Sequence, residues 1–220
     1  MDSKHVLIDS YVKRKKNSIY LVFTTIAGQR ILKYKDIEWI GLGTKKRGVR
    51  QLKNSDLIEP VITNYVPGAV GRITELHGKY YHKYWNFGLF FEAKVASELS
   101  KLLTDDNAHR NGFWIAWLDN EIVGGISVDG NRKESNEARL RFFIISSGCQ
   151  GLGIGDRLME KSVTFCKDKG FEKIYLTTFE GLDAARHLYE KWGFQLIEEK
   201  EDNTWGVIVK EQLFKIILSS

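Results

Sequence analysis

The segment Gln150-Gly151-Leu152-Gly153-Ile154-Gly155 constrains this chain more than any other six residues. It follows a β-like apolar run, Arg141 to Ile145, and leads into an amphipathic stretch from Ile154 to Lys169. A chain that turns from strand to helix through glycine keeps its backbone bare of Cβ atoms. The new helix then aims unpaired N–H groups and its positive dipole end at whatever lies in front. Such a corner suits an anionic group, above all a phosphate.

The frame of the glycines separates three kinds of phosphate loop. A nucleoside-triphosphate loop requires Lys-Ser/Thr after its last glycine. Here Gly155 is followed by Asp156-Arg157, which excludes it. A dinucleotide loop requires G-x-G-x-x-G. Counted from Gly151 the third glycine falls on Asp156, and counted from Gly153 it falls on Leu158, so that frame fails too. The remaining pattern is Gln150-x-x-Gly153-x-Gly155.

The surrounding elements are legible from periodicity. Val66-Pro67-Gly68 breaks the chain. Val70, Ile73, Leu76, His77, Tyr80, Tyr81 and Tyr84 then recur at helical spacing up to about Trp85. A second helix is expected from Leu89 to Leu103, with Phe90, Val95, Leu99 and Leu102 or Leu103 on its inner face. Strands are expected over 112–118 and 121–128, joined by the short turn Asp119-Asn120. A third follows at 138–145. After the glycine loop come a helix closed by Gly170, a strand at 171–178, a helix at 183–192 closed by Gly193, and strands at 194–198 and 205–214. A strand–helix–strand unit implies a right-handed crossover and local parallel pairing, whereas the hairpins are antiparallel. The fold class is therefore α/β, with a mixed central sheet flanked by helices.

The first 60 residues differ in character. They carry 13 Lys+Arg and 6 Asp+Glu, a balance of +7, against 20 and 22, a balance of −2, over residues 61–220. The two sum to the net +5 of the chain. Residues 18–26, 29–35 and 37–42 read as two or three small antiparallel strands. This divides the chain into a basic, strand-rich extension, residues 1–60, and a main domain, residues 61–220. Hydrophobic residues make up 43% of the chain, enough for a packed core. No apolar run approaches the roughly 18 residues of a membrane span. MDSKHVLIDSYVKRKK lacks the pattern of a signal peptide, and Cys149 and Cys166 make no disulfide framework. A cytoplasmic chain is expected.

A second motif narrows the meaning of the glycine loop. Ala185-Arg186-His187-Leu188-Tyr189-Glu190-Lys191-Trp192-Gly193-Phe194 follows it at the distance of one helix and one strand. The two motifs together resemble the GNAT superfamily of acyl-CoA-dependent N-acetyltransferases. Its signature is [Gln/Arg]-x-x-Gly-x-[Gly/Ala], followed by A-x-x-L-Y-x-x-x-G-F. The resemblance covers roughly residues 61–217. Through GRITELHGKYY, FGLFFEAKVA and TFEGLDAARHLYEKWGF it is nearest to the acetyltransferase half of bacterial proteins that fuse a MarR-type DNA-binding domain to a GNAT domain. Residues 1–60 are too short and too strand-like for the MarR half, so nucleic acid is not an expected partner.

The resemblance implies acetyl-CoA as co-substrate and an amine as acceptor, joined by direct attack in a ternary complex. It implies that the pantetheine arm lies along the backbone of Phe143, Ile144 and Ile145. The pyrophosphate would lie on Gln150, Gly151, Leu152, Gly153, Ile154 and Gly155. Tyr189 would protonate the departing thiolate. Many members carry an Asn seven residues before that tyrosine; here the position is Leu182. That departure keeps open an alternative, a catalytically weak acyl-CoA-binding regulatory module. No residue stands out as the general base among Glu75, His77, Glu92, Glu137 and Glu180. His77 and His82 do not form an H-E-x-x-H pair, so no metal is expected. The extension is compatible with lengthening the sheet, covering the acceptor site or forming a homodimer.

Overall fold

The computed structural model describes residues 7–15, 18–25, 28–34, 59–106, 108–130 and 136–218. The first three strands, β1 (Leu7–Lys15), β2 (Ser18–Thr25) and β3 (Gly28–Tyr34), form an antiparallel sheet in the order β1-β2-β3. Strand β1 adds to the sequence reading. Its Lys13–Lys15 run conceals it, since lysine is a weak strand signal. The expected strand at 37–42 lies outside the described residues.

The main domain is a seven-stranded sheet in the order β4-β5-β6-β7-β8-β10-β9. Its strands are β4 (Val61–Thr63), β5 (Gly112–Leu118), β6 (Glu121–Asp129), β7 (Glu137–Ile145), β8 (Lys173–Phe179), β9 (Gln195–Asp202) and β10 (Val209–Ile217). Among the described residues four helices cover it: α1 (Ala69–Trp85), α2 (Leu89–Thr104), α3 (Ile154–Asp168) and α4 (Asp183–Lys191). This is the mixed α/β sheet flanked by helices expected from the sequence. Asp119 and Asn120 both adopt positive φ, 54° and 57°, as a two-residue turn between β5 and β6 requires.

Two hydrophobic clusters lie on opposite faces of the sheet. One joins α1 and α2 to the sheet through Ile73, Leu76, Val95, Leu99 and Phe142. The other joins α3 through Leu158, Met159, Val163 and Cys166 to Leu140, Ile174 and Phe214. The inward face of α2 corrects the sequence reading. Phe91, with Val95, Leu99 and Leu102, is buried, whereas Phe90 is 61% exposed. Phe91 keeps the four-residue spacing to Val95 that a helix face needs; Phe90 does not.

Two departures from regularity shape the middle of the sheet. First, β7 carries a bulge. Gly125 pairs with Ile144 and Ser127 with Arg141, so Phe142 and Phe143 together oppose Ile126. Phe142 accommodates the extra residue at φ 51°, a conformation rare for a bulky side chain. The bulge switches faces: Ala138 and Leu140 join the α3 cluster, but Phe142 and Ile144 join the α1/α2 cluster. Second, β7 and β8 are parallel neighbours only from Glu137↔Lys173 to Arg139↔Tyr175. Beyond Arg139 the two strands diverge, and a cleft opens between them.

Candidate active site

Three cavities meet along this divergence. The largest, about 470 Å³, runs between the second half of β7 and the start of α4. Of the residues expected to hold the cofactor, Phe143, Ile144, Ile145, Gln150, Gly151, Gly153 and Gly155 line it, together with Tyr189. Leu152 and Ile154 do not. Their side chains are buried in the α3 cluster, leaving only their backbone for a ligand.

The glycine loop owes its shape to backbone conformation. Gly151 and Gly153 sit at φ 71° and 74°, where any Cβ is strained. Gly153 is the N-cap of α3 and supplies no side-chain cap, so the first turn keeps backbone N–H groups for another acceptor. Gly155 has a different reason. It lies inside α3, and a Cβ there would stand 3.0 Å from Leu188 and 3.3 Å from Ile145. The glycine lets α3 approach α4 and β7 closely. Gln150 donates from Nε2 to the Ile145 carbonyl at 3.4 Å, tying the loop to the strand end. Asp156 also borders the cleft, but its carboxylate is held by Lys191 Nζ at 2.6 Å and Trp192 Nε1 at 3.2 Å. Its negative charge is thus offset before it meets an anion.

A backbone edge, left-handed glycines and an open helix end are the features that an extended arm ending in a pyrophosphate requires. The residues present therefore fit acetyl-CoA. One side chain departs from the family pattern: Leu182, the N-cap residue of α4, lines the cleft as a nearly buried apolar group. Among the described residues no group of three or more His, Cys, Asp or Glu could hold a metal ion.

The second cavity, about 90 Å³, lies on the α1/α2 side. His77, Arg139, Arg141, Thr177 and Trp205 are among its lining. Tyr81, Phe143, Thr178 and Tyr189 line both this cavity and the cleft, so they form the neck between them. Tyr189 is buried, with Phe143, Phe194 and Phe214 ring centroids at 6.1, 6.2 and 6.0 Å. Burial pushes its phenol above the ordinary tyrosine value. Tyr81 is shifted the same way, first by burial and then by Tyr189 and Tyr80. Both phenols are therefore protonated at neutral pH.

His77 is buried on α1. Its Nδ1–H donates to the Ile73 carbonyl at 2.9 Å, which leaves Nε2 as an acceptor. The ring stacks on Tyr81 at 6.1 Å and meets Phe142 edge-on at 6.3 Å. Burial lowers its pKa to about 4, so it is neutral at pH 7. Of the five candidate bases, His77 is the one that lines the cavity. Glu75 pairs with Arg72 and Lys79, Glu137 with Lys173 and Lys215, and Glu180 with Lys210. Glu92 lines neither space. Tyr81, Thr178 and Arg139 were not singled out from sequence. The one signal for Tyr81 is its i+4 position from His77.

The model of the acetyltransferase (GNAT) family matches residues 71–194. Among curated proteins, "Probable N-acetyltransferase camello" of Xenopus laevis is 29% identical over 98 residues, 44% of this chain and 43% of its own length. "N-acetylaspartate synthetase" of Danio rerio is 32% identical over 104 residues, 47% of this chain and 36% of its own length. The chain thus spans less than half the length of these relatives. A solved acetyltransferase from Salmonella typhimurium, determined with its cofactor acetyl-CoA, superposes with a TM-score of 0.57 at 12% identity. That match covers 73% of this chain and 94% of the other.

Proposed function

The chain belongs to the GNAT acetyltransferase family, and on that premise we propose that it transfers the acetyl group of acetyl-CoA to a primary amine by direct attack in a ternary complex. The observation that carries this reading is the neck. Tyr189 and Phe143 border both the cleft suited to the CoA arm and the cavity on the other face of the sheet. A thioester at the neck would face an amine in that cavity with no further rearrangement.

In this reading the backbone of Phe143, Ile144 and Ile145 pairs with the pantetheine arm like an added strand. Gln150 to Gly155 cradle the pyrophosphate. Leu152 and Ile154 contribute only backbone groups there and anchor the loop in the core. Tyr189 holds a proton where the thiolate leaves. Being shifted upward, its phenol acts by hydrogen bonding to sulfur as the C–S bond breaks, and surrenders the proton only to a developing thiolate. His77 Nε2 stands on the amine side as an acceptor for the proton the amine must lose, and the Tyr81 hydroxyl beside it can orient the amine by hydrogen bonding. His77 can take it only in concert with bond formation, because its pKa lies well below that of an amine.

Residues 61–220 form the catalytic unit, and residues 1–60 a basic extension that covers the acceptor side or joins two copies. The nearness to bacterial MarR–GNAT fusions rests on the sequence segments named above. Leu182 favours a second reading, a CoA-binding module with weak catalysis, since an apolar side chain there removes a polar contact to the arm. Thiol release from acetyl-CoA across an amine panel tests the proposal. Turnover with at least one amine supports transfer; acetyl-CoA binding without turnover on any amine supports the module.

A further inference from the structure

The third cavity, about 250 Å³, opens on the same face of the sheet as the second. Arg139 and Thr177 line both. Arg139 is the last β7 residue paired to β8, so its side chain stands at the point where the strands part. It projects to the α1/α2 face, three residues before the bulge at Phe142.

Two guanidinium groups occupy this floor, and they are in different states. Arg141 is neutralised: it pairs with Glu98 and, at 3.3 Å, with Asp129. Glu98 is further shared with Lys94 at 3.0 Å. Among the described residues Arg139 makes one hydrogen bond, from Nη2 to Thr177 Oγ1 at 2.8 Å, and its Cζ lies 5.9 Å from the Tyr175 ring. Its Nε is buried without a hydrogen-bond partner. Among the described residues no carboxylate reaches ion-pair distance of Arg139. Glu211 lines the third cavity as well and attracts Arg139 across it without reaching ion-pair distance, while burial first, and then Asp202, holds its carboxyl above its usual value.

A largely desolvated cation with an orphaned donor is unfavourable unless something completes it. A guanidinium presents parallel N–H groups that match a carboxylate in bidentate fashion. Resting on the acetyl-transfer reading above, we propose that Arg139 binds a carboxylate of the acceptor, so that the acceptor class is a small amine that also carries a carboxylate, as amino acids do. The amine lies toward Tyr189 and Phe143, and the carboxylate lies toward Arg139. Both groups are then reached within one cavity.

The test compares initial rates of CoA release with the twenty L-amino acids and with their carboxamides. Acetylation of at least one acid is expected, with KM at least tenfold lower than for its amide. Arg139→Gln raises KM for the acid at least tenfold, to the level of the amide, and leaves KM for acetyl-CoA unchanged. Arg139→Lys, which keeps the charge but not the fork, falls between. Equal KM for acid and amide, or an Arg139→Gln loss that is the same on both, overturns the proposal. Binding of the N-acetylated acids and their amides, followed by tryptophan fluorescence, decides it without turnover. Saturable binding of an acid but not its amide, abolished by Arg139→Gln, sustains the carboxylate site even if no amine is acetylated. In that case the transfer reading alone falls. No preference in binding overturns the site.

Discussion

The rings of Phe143 and Tyr189 lie 6.1 Å apart, tilted by 54°, and close the sheet at the point where β7 and β8 have parted. Phe143 reaches this position because the bulge at Phe142 returns it to the α3 side, where Tyr189 of α4 is packed. One irregular residue in a strand therefore places both the backbone edge for a CoA arm and the ring that positions a phenol.

Tyr189→Phe should lower kcat by roughly a hundredfold, the lower range for loss of a general acid. KM for acetyl-CoA should change less than threefold, because the ring contacts with Phe143, Phe194 and Phe214 survive the substitution. Steady-state kinetics with varied acetyl-CoA measures both. An unchanged kcat would remove the phenol from the chemistry.

The glycine loop allows an internally controlled comparison. Gly153 and Gly170 both have positive φ, 74° and 71°, and a Cβ on Gly170 would meet nothing within 4 Å. Alanine at either position should destabilise the fold by roughly 1–2 kcal/mol through backbone strain. Only Gly153→Ala should also raise KM for acetyl-CoA, since Gly153 lines the cleft. Thermal melts and acetyl-CoA kinetics on the pair check this. Equal effects on KM would reduce Gly153 to a turn residue.

Element order, the glycine corner and Tyr189 could be read from sequence because each depends on local pattern: period 3.6, period 2, or glycine at a required φ. What could not be read depends on pairing between distant segments. Nothing in Arg141-Phe142-Phe143-Ile144-Ile145 reveals that Phe142 is bulged, since a regular strand would alternate just as well. The bulge is visible only from the register with Gly125 and Ser127. The places of Tyr81 and Arg139 in the site are hidden in the sequence for the same reason. Each resembles a neighbour, Tyr80 or Arg141, and only tertiary placement separates the residue at the neck or the unpaired cation from its companion.

Gly124 tests the link between the bulge and the cleft. It pairs with Ile145, and a Cβ on it would stand 2.6 Å from the Ile144 carbonyl oxygen. That atom is backbone and cannot rotate away, so β7 must shift. Gly124→Ala should cost about 1–3 kcal/mol of stability, as overpacking does. It should also weaken acetyl-CoA binding, although Gly124 is not in the cleft. Calorimetric titration of acetyl-CoA supplies the number. Wild-type affinity in a destabilised protein would show that the Ile144–Ile145 edge does not grip the arm.

His77 should make stability depend on pH in a defined window. Its ordinary pKa is 6.5 and its folded value is about 4, because burial disfavours the charged ring. Between these values the unfolded chain binds a proton that the folded chain refuses, so stability rises with pH. The contribution is complete above about 6.5 and is lost as pH falls toward 4, amounting to about 3 kcal/mol for this one group. His77→Gln removes the titration while keeping a side chain that can donate to the Ile73 carbonyl. Urea unfolding between pH 4 and 7.5 should then show a shallower decline for the variant than for the wild type. Parallel curves would mean that the folded ring titrates near its ordinary 6.5 and that burial does not hold it neutral as the pH falls.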